Sequence, residues 1–150
     1  MKHLSLYVGL LCIFGIAAVF FFDAVMGVHE TLYVIRRGWR QEIAFDRPHP
    51  KYVGAEHGDV LRFSYKISNN RFKGCIISVE VSMFEEEELI TKLLSTKKSI
   101  EPFQSVEIEW TLETEEFEPN REYILRIKLN EVERTLYMIF HKTAIPKPSN

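Results

Sequence analysis

Nineteen consecutive residues near the N-terminus, Leu4 to Phe22 (LSLYVGLLCIFGIAAVFFF), carry no charge, and only Met1, Lys2 and His3 precede them. A helix of that length measures roughly 28 Å at 1.5 Å rise per residue, close to the hydrocarbon thickness of a bilayer. Twelve of these residues are Leu, Ile, Val or Phe. At roughly 0.3–0.6 kcal/mol each, they favour membrane entry by about 4–7 kcal/mol. The segment reads as one transmembrane helix, residues 4–22, behind a short tail, residues 1–3. The lipid bilayer is its expected partner.

A cleaved signal peptide has a shorter apolar region that ends in a small-residue site. Here Asp23 intervenes before the one acceptable site, Val25-Met26-Gly27, which favours a retained anchor. Lipidation at Cys12 is disfavoured, because Leu10 and Leu11 stand where small residues are needed and apolar sequence continues beyond. Ser5, Gly9 and Cys12 share a helical face, with Gly15 and Ala18 drifting from it; such stripes permit helix pairing and are also ordinary in membrane helices. Lys2 and the terminal amine favour a cytoplasmic N-terminus, against Arg36, Arg37 and Arg40 beyond the span. Long following domains translocate largely regardless of such charges, so the C-terminal domain is expected to be extracytoplasmic.

The remainder, from Asp23 to Asn150, is long enough for one domain with its own core. It holds 18 Lys and Arg against 21 Asp and Glu, a formal charge of −3. That balance does not suggest nucleic acid, which calls for a clustered basic surface. With Cys12 in the span and Cys75 in the domain, the fold cannot depend on a disulfide. Eighteen of the acids are Glu and only seven residues are Asn or Gln, the bias of thermophile proteins, so a thermophilic prokaryote is the expected source.

Beyond a connector at 23–30, the domain reads as strands over 31–141, with a flexible tail at 142–150. Thr31–Ile35 is the first candidate, broken by Arg36-Arg37-Gly38, and a short apolar patch at 43–45 ends in a proline-bounded loop at 46–50. From Gly58 onward the hydropathy has period two, the mark of half-buried strands. Leu61, Phe63, Tyr65 and Ile67 alternate with Arg62, Ser64 and Lys66. The same alternation runs through Cys75–Met83, Gln104–Leu112 and Tyr123–Leu129, and Arg134–Phe140 follows a turn at Asn130-Glu131. Glu85–Leu94 is ambiguous between a helical turn and an edge strand, and the all-β surroundings favour the strand. Such a series predicts an all-β sandwich.

One segment sharpens the architecture. Phe117-Glu118-Pro119-Asn120-Arg121-Glu122-Tyr123 resembles the apolar-x-Pro-x-x-x-Tyr stretch entering the sixth strand of fibronectin type III and related immunoglobulin-like modules. The resemblance implies that Tyr123 forms a corner, its hydroxyl bonded to backbone upstream. Gly58–Asn69 is similar to the second strand of many adhesion-type immunoglobulin-like domains. The likeness covers roughly residues 55–141. It departs from the pattern at Cys75–Met83, which carries no tryptophan; Trp110 lies in a later strand. The expected fold is thus an immunoglobulin/fibronectin-III-like β-sandwich preceded by one transmembrane helix. Modules of this kind bind and scaffold, and rarely catalyse.

Chemistry finds little foothold. His49, Glu56, His57 and Asp59 crowd one region, but their spacing matches no metal-binding motif, and solvated loop polars are the default. His29 and His141 are isolated. Glu85-Glu86-Glu87-Glu88 lacks the bend and alternation of a calcium loop and reads as a solvated hairpin tip. No nucleophile elbow or phosphate loop exists, and Ser64, Ser78 and Ser82 fall on outward positions. Trp39, among Arg36, Arg37 and Arg40, is either core or seated in the headgroup layer.

The sequence therefore predicts a non-enzymatic, single-pass anchored module with no catalytic, cofactor or metal residues, which holds an unknown protein partner near the membrane. The alternatives are a signal-cleaved secreted domain of the same fold, and a membrane-bound metal-dependent hydrolase using His49 and His57.

Overall fold

The computed structural model describes residues 2–45 and 51–142, with the side chains of α1 described from 7 to 21. The apolar segment is helical, as α1 (Lys2–Met26). Nine strands follow: β1 (Val28–Arg36), β2 (Trp39–Ala44), β3 (Lys51–Glu56), β4 (Val60–Asn69), β5 (Cys75–Glu85), β6 (Glu88–Ile100), β7 (Ser105–Glu113), β8 (Glu122–Leu129) and β9 (Val132–His141). They form a four-stranded sheet, β2-β1-β4-β7, and a five-stranded sheet, β3-β9-β8-β5-β6. Every pairing is antiparallel except β3 with β9.

Alternation drives this packing, because a period-two strand can give one whole face to a core. Leu61, Phe63, Tyr65 and Ile67 of β4 meet Val79, Val81 and Met83 of β5 and Leu125 and Ile127 of β8 in one buried cluster. Phe63 stacks on Trp110 at 5.1 Å between ring centres. Tyr123, Phe117 and Phe140 close one end of the core. The fold is a mostly-β sandwich.

Two polar features stand out. The Arg134 guanidinium of β9 meets the Glu30 carboxylate of β1 at 3.0 and 3.2 Å, and Tyr65 donates its hydroxyl to the same carboxylate at 2.6 Å. At the start of β8, the Tyr123 hydroxyl accepts from the Glu118 N–H at 2.9 Å and faces the Glu118 carbonyl at 3.4 Å. This is the backbone bond expected of that tyrosine.

Several expectations need correction. No eight-residue connector exists at 23–30. Helix continues through Met26, and β1 begins at Val28 because Val28, His29 and Glu30 pair with Asn69, Ser68 and Ile67. Only Gly27 lies between them, at a positive φ that glycine adopts without a Cβ clash. β3 has no counterpart among the expected strands. β6 is an edge strand, as favoured, but it runs on to Ile100. Ser64 is buried rather than outward-exposed, its hydroxyl bonded to the Glu107 carboxylate. The proline loop at 46–50 and the tail at 143–150 lie outside the described residues.

Candidate interaction surfaces

Register fixes which loops share an end of the sandwich. β1 starts beside the end of β4 (Val28 opposite Asn69), and β4 ends beside the start of β7 (Ser68 opposite Ser105). Cys75 of β5 lies opposite Ile100 of β6. The 70–74 and 101–104 loops, and the Asn130-Glu131 turn, therefore gather where α1 joins the domain. The 37–38, 57–59 and 86–87 turns lie at the opposite end.

That assignment places Trp39 along the sandwich. Eight strand steps of about 3.3 Å carry β1 roughly 26 Å from its start before the chain turns at Arg37-Gly38. Trp39 sits at that remote end, exposed and outside the buried core. Arg40 instead lies over the Tyr33 ring.

The remote end also holds the described part of the suspected metal cluster. Arg36 reaches Asp59 at 3.1 Å and Glu56 at 3.5 Å, so one guanidinium engages both carboxylates. The His57 N–H donates to the His141 carbonyl, and Thr114 ties the loop down through Gly58, Glu56 and Asp59. His49 lies outside the described residues. Among the described residues, no group of three or more His, Cys, Asp or Glu side chains is placed to hold a metal ion.

Glu86 and Glu87 form the β5–β6 turn, with Glu86 in the left-handed region. Arg121 bridges Glu85 at 2.6 Å and Glu118 at 2.8 Å, and these hydrogen-bonded carboxylates raise its pKa. Ser78 and Ser82 face outward with no described histidine bonded to them. Cys75 is half-buried against the core.

A surface that the sequence does not announce runs across the outer face of the five-stranded sheet. Tyr52 pairs with Tyr137, Tyr137 with Ile124, Ile124 with Phe84 and Phe84 with Leu89. These five side chains make one row over all five strands, about 19 Å long at roughly 4.8 Å per strand. Tyr52 and Tyr137 stack at 5.2 Å, and Arg126 covers Phe84 at 4.2 Å. The row ends are open, Tyr52 being 59% and Leu89 55% exposed. Each strand shows only one member in a polar alternation, so the row is legible only after the strands are in register.

α1 presents a different surface. None of its described side chains is buried, and Leu10, Leu11, Ile13 and Phe14 expose apolar groups around a full helical turn. A Cβ placed on Gly9 or Gly15, of the small-residue stripe, would meet nothing within 4 Å. Among the described residues, no helix is long and apolar enough to cross a membrane. The expected span is therefore helical without a described stretch that meets both conditions.

Compared with known proteins, the chain matches no family model and no curated protein sequence.

Proposed function

We propose that this chain is a single-pass, membrane-anchored binding module that holds a protein partner beside the bilayer, with its sandwich on the extracytoplasmic side. The observation that carries it is α1, whose described side chains, 7–21, are apolar on every side and none of them buried. A helix that is hydrophobic all round needs a non-aqueous surrounding, and the 19 charge-free residues 4–22 match a bilayer in length. The binding role draws support from the row on the outer sheet face, which joins exposed Tyr52 and Leu89 through half-buried Tyr137, Ile124 and Phe84, because clustered apolar surface on a folded domain marks contact sites.

The finer reading of the sandwich, as immunoglobulin- or fibronectin-like, rests on strand order. β1, β4 and β7 occupy the places of strands A, B and E, and β5, β8 and β9 those of C, F and G. The Tyr123 corner at the start of β8 adds to it.

Alkaline carbonate washing followed by flotation of the full-length chain tests the anchor. We expect it to stay with the lipid; release into the soluble fraction would overturn the proposal. Intact mass separates the signal-cleaved alternative, which requires loss of the first 27 residues. Protease digestion of sealed vesicles reports orientation.

A further inference from the structure

We propose that the end of the sandwich nearest α1 is itself a lipid-contact surface, with Phe72 and Phe103 entering the headgroup–acyl boundary of the bilayer. This inference rests on the reading of α1 as a membrane anchor.

The two phenylalanines come from separate loops and meet edge to face, 5.0 Å between ring centres. They are 51% and 55% exposed, and neither belongs to the buried core. Their position follows from the chain path. The Asn70 N–H donates to the Gly27 carbonyl at 3.0 Å, so the Phe72 loop is bonded to the residue that ends α1. The Arg71 guanidinium lies 4.0 Å from where a Gly27 Cβ would stand. If α1 crosses a bilayer, these loops are the part of the domain that meets its surface.

One buried residue holds both loops in place. Asn69 accepts from the Arg71 N–H at 3.1 Å and donates to the Lys73 carbonyl at 2.8 Å. The same amide lies 3.3 Å from the Ile100 and Glu101 carbonyls. The loops thus form one braced platform.

Phe103 has a φ of 59°, where a bulky side chain is a genuine outlier and glycine or asparagine is favoured. A glycine would adopt that φ without strain, so the backbone there does not call for an exposed aromatic. Exposed Arg71 and Lys73 flank Phe72, supplying cations at phosphate height, while Glu101 beside Phe103 and Glu131 in the neighbouring turn keep the end from being uniformly basic. Apolar rings with flanking Arg and Lys suit an interface whose outer layer is charged and whose inner layer is hydrocarbon.

The test uses the full-length chain in phosphatidylcholine vesicles, with and without bromine on shallow acyl positions. Phe103→Trp and Phe72→Trp are compared separately with the unaltered chain, in which Trp39 is remote and Trp110 is buried. Flotation with the vesicles, plus blue-shifted emission from the new tryptophan that brominated lipid quenches, is the expected result. Flotation with no added quenching in either variant overturns this inference and leaves the anchor standing. Failure to float overturns the anchor, and this inference with it.

Discussion

Arg134 and Glu30 join the two sheets through a bridge in which the Glu30 side chain is only 8% exposed. Breaking a buried pair by removing one partner strands the other charge, at a cost of about 3–5 kcal/mol. Arg134 keeps some solvent contact, so the cost falls at or below the bottom of that range. Arg134→Met should lower the unfolding free energy by about 2–3 kcal/mol in a urea titration. Glu30→Gln placed on top should recover part of the loss, because the stranded charge is gone.

Tyr65 shares that carboxylate, and burial first, then its hydrogen bond to Glu30, raises its pKa above the ordinary value near 10. The unfolded chain therefore loses this proton before the folded one does. Stability is fully present below about pH 10 and falls as pH rises beyond it. Burial raises the pKa of Tyr123 as well, so the alkaline loss has two sources. Tyr65→Phe should flatten, without abolishing, the fall of Tm above pH 10. An unchanged slope would mean that Tyr65 ionises freely when folded.

Asn69→Ala removes the side-chain bonds that tie Asn69 to Arg71, Lys73, Ile100 and Glu101, at a fully buried site. Several buried partners left unsatisfied cost about 1–3 kcal/mol each at most, and water entering the loops recovers some of it. A loss of about 2–4 kcal/mol is expected, with amide exchange accelerating at 70–74 and 101–104 ahead of the core. Uniform acceleration over the whole domain would contradict a local brace.

How much of the fold is readable from the chain depends on what period two can carry. β4, β5, β7 and β8 stand within about two residues of where alternation puts them, because each contributes a full inward face. β3 escapes notice: it is short, contains Gly54, offers only Val53 and Ala55 to the core, and pairs in parallel with a distant strand. Alternation also tells that Ser64 points away from the core, but not that neighbouring side chains cover it. The candidate surfaces are least legible. Trp39 stands out by its arginine neighbours, yet its place depends on strand direction. Phe72 and Phe103 have no periodicity to advertise them; the available signal is a lone aromatic in each of two polar turns.

Trp110 stacks on Phe63 but leaves its indole N–H buried with no partner among the described residues. An unsatisfied donor costs about 1–3 kcal/mol, which offsets part of what the ring contributes. Trp110→Phe should therefore be close to neutral by thermal melting, within about 1 kcal/mol, whereas Trp110→Ala should cost about 3–5 kcal/mol. Equal losses for both would show that the indole nitrogen is not the weak point.

Glu86 holds a φ of 54° in the β5–β6 turn. A left-handed conformation costs an ordinary residue about 1–2 kcal/mol, and glycine escapes that cost while losing more chain entropy. Glu86→Gly should raise stability by up to about 1 kcal/mol, read as a higher Tm. A drop would mean that the turn relies on the Glu86 carboxylate.

One glycine joins the helix to the sandwich, and Asn70 grips its carbonyl, so the joint has no slack. Seated on lipid, such a body cannot swing on a leash or search a wide hemisphere. Its aromatic row would ride at a set altitude, about 30 Å over the surface by the nine strand steps from Cys75 to Phe84. Whatever it grasps must come to that height, which selects for neighbours rooted in the same sheet of lipid over molecules drifting past.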